Sequence, residues 1–196
     1  MTRRFWFPKH YADVVQRLRV PCGFVMAAAL VLFAAPARWS IWVGLPVAVS
    51  GLFLRAWAAG HLAKNERLAT SGPYGYVRNP LYIGTLLAAA GCVIAARQPW
   101  LAVLFGAVFT LVYLPAIELE EQHLRRLFPE YDGYAANVPM LRARGPSFGG
   151  EGRFRWALYM RNQEYQAFLG LVITWLFLAW RAGEFDGLLN RIRPGG

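Results

Sequence analysis

The stretch TSGPYGYVRNPLYIG, residues 70–84, separates two long apolar segments. It holds two prolines and three glycines, which interrupt a helix because proline lacks a backbone donor and glycine readily adopts positive φ. Irregular backbone beside a membrane persists where protein or a water-filled cavity satisfies its polar groups, so this stretch is a candidate pocket wall. Arg78, Asn79 and the helix start at Pro80 place a cation, an amide and a helix N-terminus together. This combination suits an anionic or zwitterionic ligand.

A simpler interpretation of the same stretch is a turn at the membrane interface. Asn79 would then cap the following helix with Pro80 at its first position. Tyr74, Tyr76 and Tyr82 would belong to an aromatic belt at the membrane surface. The residues of the stretch fit both interpretations.

The composition indicates an integral membrane protein. The chain has 196 residues, is 57% apolar and carries a net charge of +10, and its apolar residues are grouped in blocks. The cations flank these blocks and form no nucleic-acid motif, so we predict a lipid bilayer as partner and no nucleic acid. Cys22 and Cys92 lie inside apolar runs, and their number and spacing predict neither a disulfide framework nor a metal site.

The order of the blocks predicts an all-α membrane protein with about five transmembrane helices and one domain, residues 1–196. The first apolar run lacks a convincing cleavage site and is interpreted as a retained span. The five spans are predicted at residues 20–36, 41–61, 81–96, 100–117 and 165–180. The chain is thus divided into a basic interfacial arm (1–19, alternatively a disordered arm), four spans within 20–117, a cofactor segment (118–163) and the last span within 164–181. The motif loop (61–80) lies between the second and third spans.

The distribution of cations predicts the orientation of the chain. The N-terminal segment holds five Lys or Arg residues, the loop between the second and third spans three and the long segment seven, whereas the opposite side has five. The positive-inside rule therefore places the N-terminus, the motif loop and the cofactor segment in the cytoplasm. The membrane is expected to be a bacterial inner membrane.

Two charged residues stand at positions where sequence predicts burial. Arg55 lies inside the second span, so it should face protein or water, or else extend its side chain to the nearby interface. Glu121 shares a helix face with Ile117, Leu124 and Phe128 and therefore needs a partner. The simplest partner is Arg125, one turn further along the helix.

The motifs on either side of the fourth span resemble those of one enzyme family. Gly72-Pro73-Tyr74 and Val77-Arg78-Asn79-Pro80-Leu81-Tyr82, with Gly84, are followed by Glu120-Glu121, Leu124, Phe128, Tyr131 and Tyr134. Together they resemble the isoprenylcysteine carboxyl methyltransferase and phospholipid methyltransferase-like family, and most closely its small bacterial members. The eukaryotic-type enzymes usually have His where Asn79 stands, and Gly where Pro129 stands.

The resemblance implies methyl transfer from S-adenosylmethionine to a lipophilic, amphiphilic or prenylated acceptor at the membrane interface. It assigns cofactor binding to both motifs: Tyr74, Arg78, Asn79, Pro80, Tyr82, Gly84, Glu120, Glu121, Leu124, Tyr131 and Tyr134. The acceptor is expected near Arg55, Asn65 and Arg161. Candidate catalytic groups are Glu121, Arg161, Glu164, Asn65 and His61, with His123 a weaker base candidate because it lies on a solvent-leaning face.

Two other functions fit the sequence. A sterol-reductase-like membrane enzyme would use NADPH, and its large dinucleotide would favour more phosphate-binding cations around the pocket than Arg78 alone. A non-enzymatic scaffold or transporter would use Arg55 and Glu121 as structural or pathway charges.

Overall fold

The computed structural model describes residues 7–142, 145 and 152–183, and these residues form helices and no β-strand. Residues 1–6 of the predicted basic arm and the C-terminal tail lie outside this part. A short 3-10 helix, Gly72–Gly75, lies in the motif loop, and a π-helical turn, Phe109–Tyr113, joins α4 to α5. The α-helices are α1 (Lys9–Phe33), α2 (Arg38–Ala59), α3 (Pro80–Ala96), α4 (Pro99–Val108), α5 (Leu114–Leu127), α6 (Tyr131–Asn137), α7 (Trp156–Arg161) and α8 (Tyr165–Arg181).

Three helical segments are long and apolar enough to cross a membrane: His10–Phe33, Arg38–Ala59 and Pro99–Leu127. Two further apolar helices, α3 and α8, have 17 residues each, the short end of the range for a span. The all-helical class is therefore confirmed, and the length and composition of three helices are consistent with membrane spans.

No helix boundary lies at residue 20. Helix α1 begins at Lys9 and continues from the predicted arm into the predicted first span. Ala12 and Val15 are buried, so the first turns of α1 pack against the protein. Because α1 begins at Lys9, polar residues that precede the first apolar block belong to this helix and lie beside the rest of the protein.

Close approach of α2 and α3 forms the centre of the bundle. Gly44 and Gly51 on α2 face Gly91 and Gly84 on α3, and a Cβ atom built on Gly91 would lie 2.5 Å from the backbone nitrogen of Ala48. The side of α3 that carries Gly84 and Gly91 is therefore a helix contact. Across the same interface the Ser40 hydroxyl donates to the Ala95 carbonyl at 2.9 Å.

The long segment from Pro99 to Leu127 changes its winding before Pro115. Proline at position 115 removes the hydrogen bond to the Leu111 carbonyl, as the sequence predicts. In the structure the backbone adopts a π-helical turn over Phe109–Tyr113, and the Tyr11 hydroxyl donates to the Leu111 carbonyl at 2.6 Å. Helix α1 therefore supplies the donor that the proline removes.

The motif loop is irregular outside Gly72–Gly75, as predicted, and one backbone hydrogen bond joins its start to the segment before α7. The Arg155 amide donates to the Gly60 carbonyl at 2.9 Å. His61 is buried, its Nδ1 lies 2.9 Å from the Ser71 hydroxyl, and its ring fills the space beside Gly72, whose φ is +61°. Burial, with a smaller effect of Arg67, lowers the pKa of His61.

We predict that Gly91→Ala destabilises the protein by roughly 1–3 kcal/mol, because the added methyl meets backbone atoms that cannot move aside. Gly106→Ala is the matched control, since a Cβ there meets nothing within 4 Å and alanine favours the helix. Thermal unfolding in detergent measures both. Equal melting temperatures for the two variants would contradict the packing described.

We predict that acidification below about pH 6.5 destabilises the protein partly through His61. Its pKa is lowered in the folded state, so the unfolded chain binds the proton more tightly and stability falls as pH drops from the unfolded pKa toward the folded one. His61→Asn keeps a polar atom near Ser71 and cannot titrate. Its melting temperature should fall less between pH 7 and pH 5.5 than that of the wild type, and equal falls would refute the prediction.

Candidate active site

A cavity of about 760 Å³ opens between the motif loop, α1, α3, α5 and α6. This volume lies within the usual range for small-molecule sites. Of the predicted site residues, the wall includes Asn65, Tyr74, Arg78, Asn79, Pro80, Tyr82, Glu120, Leu124, Tyr131, Tyr134 and Glu164. The two motifs that are separated by the fourth span thus meet around one cavity.

Glu121 joins the motif loop to α5. Its side chain is buried, and its Oε1 lies 3.0 Å from Arg78 Nε and accepts a hydrogen bond from Asn79 Nδ2 at 3.0 Å. The prediction that this carboxylate needs a partner is confirmed. The i, i+4 alternative is wrong, because Arg125 pairs with Asp132 at 3.1 Å instead.

The same two loop residues also bind main-chain carbonyls around α6. Arg78 NH1 donates to the Ala135 carbonyl at 2.8 Å, and the Arg78 amide donates to the Pro139 carbonyl at 2.9 Å. Asn79 Nδ2 donates to the Met140 carbonyl at 3.3 Å. Asn79 occupies the N-cap position of α3 without a side-chain capping bond, because its amide is directed to these partners.

Glu120 belongs to a different network from its neighbour Glu121. Its Oε2 accepts the Tyr82 hydroxyl at 2.8 Å, and that hydroxyl accepts Arg19 NH1 at 2.9 Å. The Tyr82 ring packs edge-on against Tyr113, with centroids 6.1 Å apart. Arg19, Tyr82 and Glu120 all line the cavity.

Three tyrosines close the side of the cavity next to α6. The Tyr134 hydroxyl donates to the Tyr74 carbonyl at 2.8 Å. The Tyr131 hydroxyl is buried and has no hydrogen-bond partner among the described residues. Burial, with the charge of Glu121 as a smaller cause, raises the pKa of Tyr131, so this hydroxyl keeps its proton at neutral pH.

Arg55 is turned toward protein. Its Nε donates to Glu164 Oε2 at 3.0 Å and its NH2 to Glu164 Oε1 at 2.7 Å, while NH1 contacts the Leu81 carbonyl and Thr85 Oγ1. The alternative in which Arg55 extends to the interface is therefore wrong. Every guanidinium nitrogen is engaged, and it is Glu164 that lines the cavity.

Three further predicted site residues, Arg161, His61 and Gly84, lie away from the cavity wall. Arg161 is exposed and pairs with Glu66. His61 lies beneath the loop beside Ser71, and Gly84 faces α2. Asn65 lines the cavity and adopts a positive φ of 62°.

Several wall residues were not predicted from the sequence. Asp13, Gln16 and Arg19 are spaced three residues apart on α1, so each side chain lies next to the following one on the helix surface. Asn162 donates to the Ala59 and Leu62 carbonyls at 3.0 and 2.9 Å and so satisfies the end of α2. The wall also includes the cations Lys64, Arg67 and Arg126, together with His123, the weaker base candidate. Arg78 is therefore one of several cations at the cavity, and the number of cations does not argue against a dinucleotide.

Within the described residues, no group of three or more His, Cys, Asp or Glu side chains is arranged to hold a metal ion. The cavity wall itself offers carboxylates, cationic side chains, amides, tyrosine hydroxyls and the His123 imidazole. Such a set binds polar and charged groups through hydrogen bonds and ion pairs.

Comparison with known proteins gives relatives of two kinds. The metal-resistance protein CzcN of Cupriavidus metallidurans is 30% identical over 80% of this chain and 77% of its own length. The metal-resistance protein NccN of Alcaligenes xylosoxydans is 31% identical over 67% of this chain and 63% of its own length. The protein-S-isoprenylcysteine O-methyltransferase of Schizosaccharomyces pombe is 26% identical over 67% of this chain and 58% of its own length. No solved structure gives a significant match.

A family model described as phospholipid methyltransferase matches residues 25–131, which include the whole of α2, α3, α4 and α5. This range contains the Arg78-Asn79 and Glu120-Glu121 motifs and covers more than half of the chain. The resemblance found in the sequence is confirmed. The chain belongs to the phospholipid methyltransferase family.

Proposed function

We propose that this protein transfers a methyl group from S-adenosylmethionine to a lipophilic or amphiphilic acceptor at the membrane interface, and that the methyl donor binds in the 760 Å³ cavity. Family membership supports the reaction type. We further infer an inner-membrane location with the cavity mouth in the cytoplasm, which the bias of Lys and Arg supports.

The observation that carries the proposal is the Tyr131 hydroxyl. It is buried without a partner in the described part of the chain, and its residue lines the cavity. A buried donor left unsatisfied costs about 1–3 kcal/mol. A ligand with hydrogen-bond acceptors, such as a nucleoside, would remove this cost on binding.

The rest of the wall fits the charged parts of the donor. Glu120 has one oxygen occupied by Tyr82, which leaves Oε1 to accept from an α-ammonium group. Arg78 and the N-terminus of α3 suit an α-carboxylate. Leu124 adds apolar surface for a base.

When bound, the methyl donor supplies an electrophilic methyl group on a positively charged sulfur. The residues of the chain bind and orient the reactants and exclude water, because a displacement of this kind depends on alignment and desolvation. A carboxylate or thiolate acceptor needs no base, whereas an amine or thiol must lose a proton. Glu164, held on both oxygens by Arg55, offers a fixed hydrogen-bond acceptor for such a group.

We predict that Tyr131→Phe weakens S-adenosylhomocysteine binding about tenfold, the size of one lost hydrogen bond. The melting temperature of the ligand-free variant should be unchanged or higher, because the hydroxyl has no partner in the described part of the free protein. Calorimetric titration and thermal unfolding measure the two effects.

Tyr134→Phe is the matched control for that experiment. It removes the bond to the Tyr74 carbonyl and should lower the melting temperature of the free protein. If Tyr131→Phe bound the ligand as tightly as the wild type, the assignment of Tyr131 would fail. If NADPH stabilised the wild type and S-adenosylhomocysteine did not, the methyltransferase proposal would fail.

We predict that the purified protein transfers label from a methyl-labelled donor to a component of the host's total lipid extract. Glu120→Gln keeps an acceptor for Tyr82 but removes the charge that would pair with the ammonium. Its product formation should drop about tenfold or more at low donor concentration and recover at high donor concentration. Absence of any methylated lipid-soluble product with the wild type would contradict the proposal.

A further inference from the structure

The first turns of α1 form one wall of the cavity. Asp13, Gln16 and Arg19 line it, while Ala12 and Val15 on the same helix are buried. The family match begins at residue 25, so this wall lies outside the part of the chain that the family model covers. The cavity is therefore completed by a segment that the family match does not assign.

Arg19 is joined to Glu120 by one shared hydroxyl group. Arg19 NH1 donates to the Tyr82 oxygen at 2.9 Å, and the Tyr82 oxygen lies 2.8 Å from Glu120 Oε2. A tyrosine hydroxyl has a single proton. Because a guanidinium group has only donors, that proton must point to Glu120, and the direction of the two bonds is fixed.

This arrangement determines how Glu120 faces the cavity. Oε2 is occupied by the hydroxyl, so Oε1 remains for a ligand. The position of the Tyr82 ring is set separately by its edge-on contact with Tyr113. Removing Arg19 would leave the ring in place but take away the donor that holds the hydroxyl oxygen and strengthens its bond to the carboxylate.

We propose that Arg19 is a positioning residue for the methyl donor, acting through the Tyr82 hydroxyl to orient Glu120 toward the donor's ammonium group. The inference rests on the proposed function. It makes α1 part of the donor site in addition to its place in the membrane. Arg19 is a cation in the same wall as Glu120, the carboxylate proposed to bind the donor's ammonium group. Its NH1 donates to Tyr82, which explains why a cation is placed there.

A double-mutant cycle on the full-length protein in detergent tests this role. Arg19→Gln and Tyr82→Phe are each expected to weaken S-adenosylhomocysteine binding about tenfold. Because both act on the same path, the double variant should bind about as weakly as either single variant. Arg19→Lys retains a donor for Tyr82 and should recover binding to within about threefold of the wild type.

Arg17→Gln is the matched control, since Arg17 is an exposed cation on the same helix that is not part of the cavity wall. It should leave affinity unchanged. The melting temperature of each variant is recorded without ligand. A fall in melting temperature with unchanged affinity would show that Arg19 only ties α1 to α3, and would overturn the inference.

Other outcomes separate the remaining possibilities. If Arg19→Gln weakens binding and Tyr82→Phe does not, Arg19 touches the ligand directly and the path through Tyr82 is refuted. If the losses of the two single variants multiply in the double variant, the residues act independently and the inference is again overturned. Failure of the wild type to bind S-adenosylhomocysteine would instead refute the proposed function.

Discussion

The ion pair between Glu121 and Arg78, with Asn79 bound to the same carboxylate oxygen, is the contact on which the cavity depends. It joins the loop that follows α2 to helix α5, which follows α4 and the π-helical turn. Removing one partner of such a buried pair leaves an uncompensated charge and costs about 3–5 kcal/mol. The charge is also what makes the contact specific, because few other arrangements would satisfy a carboxylate at a buried position.

The two adjacent glutamates show how one helix serves two purposes. Glu121 points into the protein and fixes the loop, whereas Glu120, one residue earlier, reaches Tyr82 and the cavity. A rotation of about 100° per residue on a helix places neighbours on different faces. The acidic pair in the sequence is therefore one structural carboxylate and one that is available to a ligand.

Close packing of α2 against α3 positions Arg55 and, through it, Glu164 in the cavity wall. Glycines at the crossing bring the two backbones together, and this places Arg55 beside Leu81 and Thr85 on α3 and within reach of Glu164 before α8. The energy of burying Arg55 is offset by a carboxylate that binds it at both oxygens. As a result the side chain of this pair that lines the cavity is the carboxylate of Glu164. The sequence analysis had singled out Arg55, because it is a charged residue inside an apolar segment.

The sequence by itself determined the helical membrane class, the break in the helices at residues 70–79 and the need of Glu121 for a partner, because proline, glycine and apolar periodicity act locally. It also placed the two motifs at one site, through their resemblance to a family. Only the tertiary structure decided that Glu121 pairs with Arg78 and not with Arg125, that Arg55 is engaged by Glu164, and that α1 begins early enough to bring Arg19 to Tyr82. These pairings join residues 43 to 109 positions apart, and their geometry is set by helix packing, which no local pattern of residues encodes.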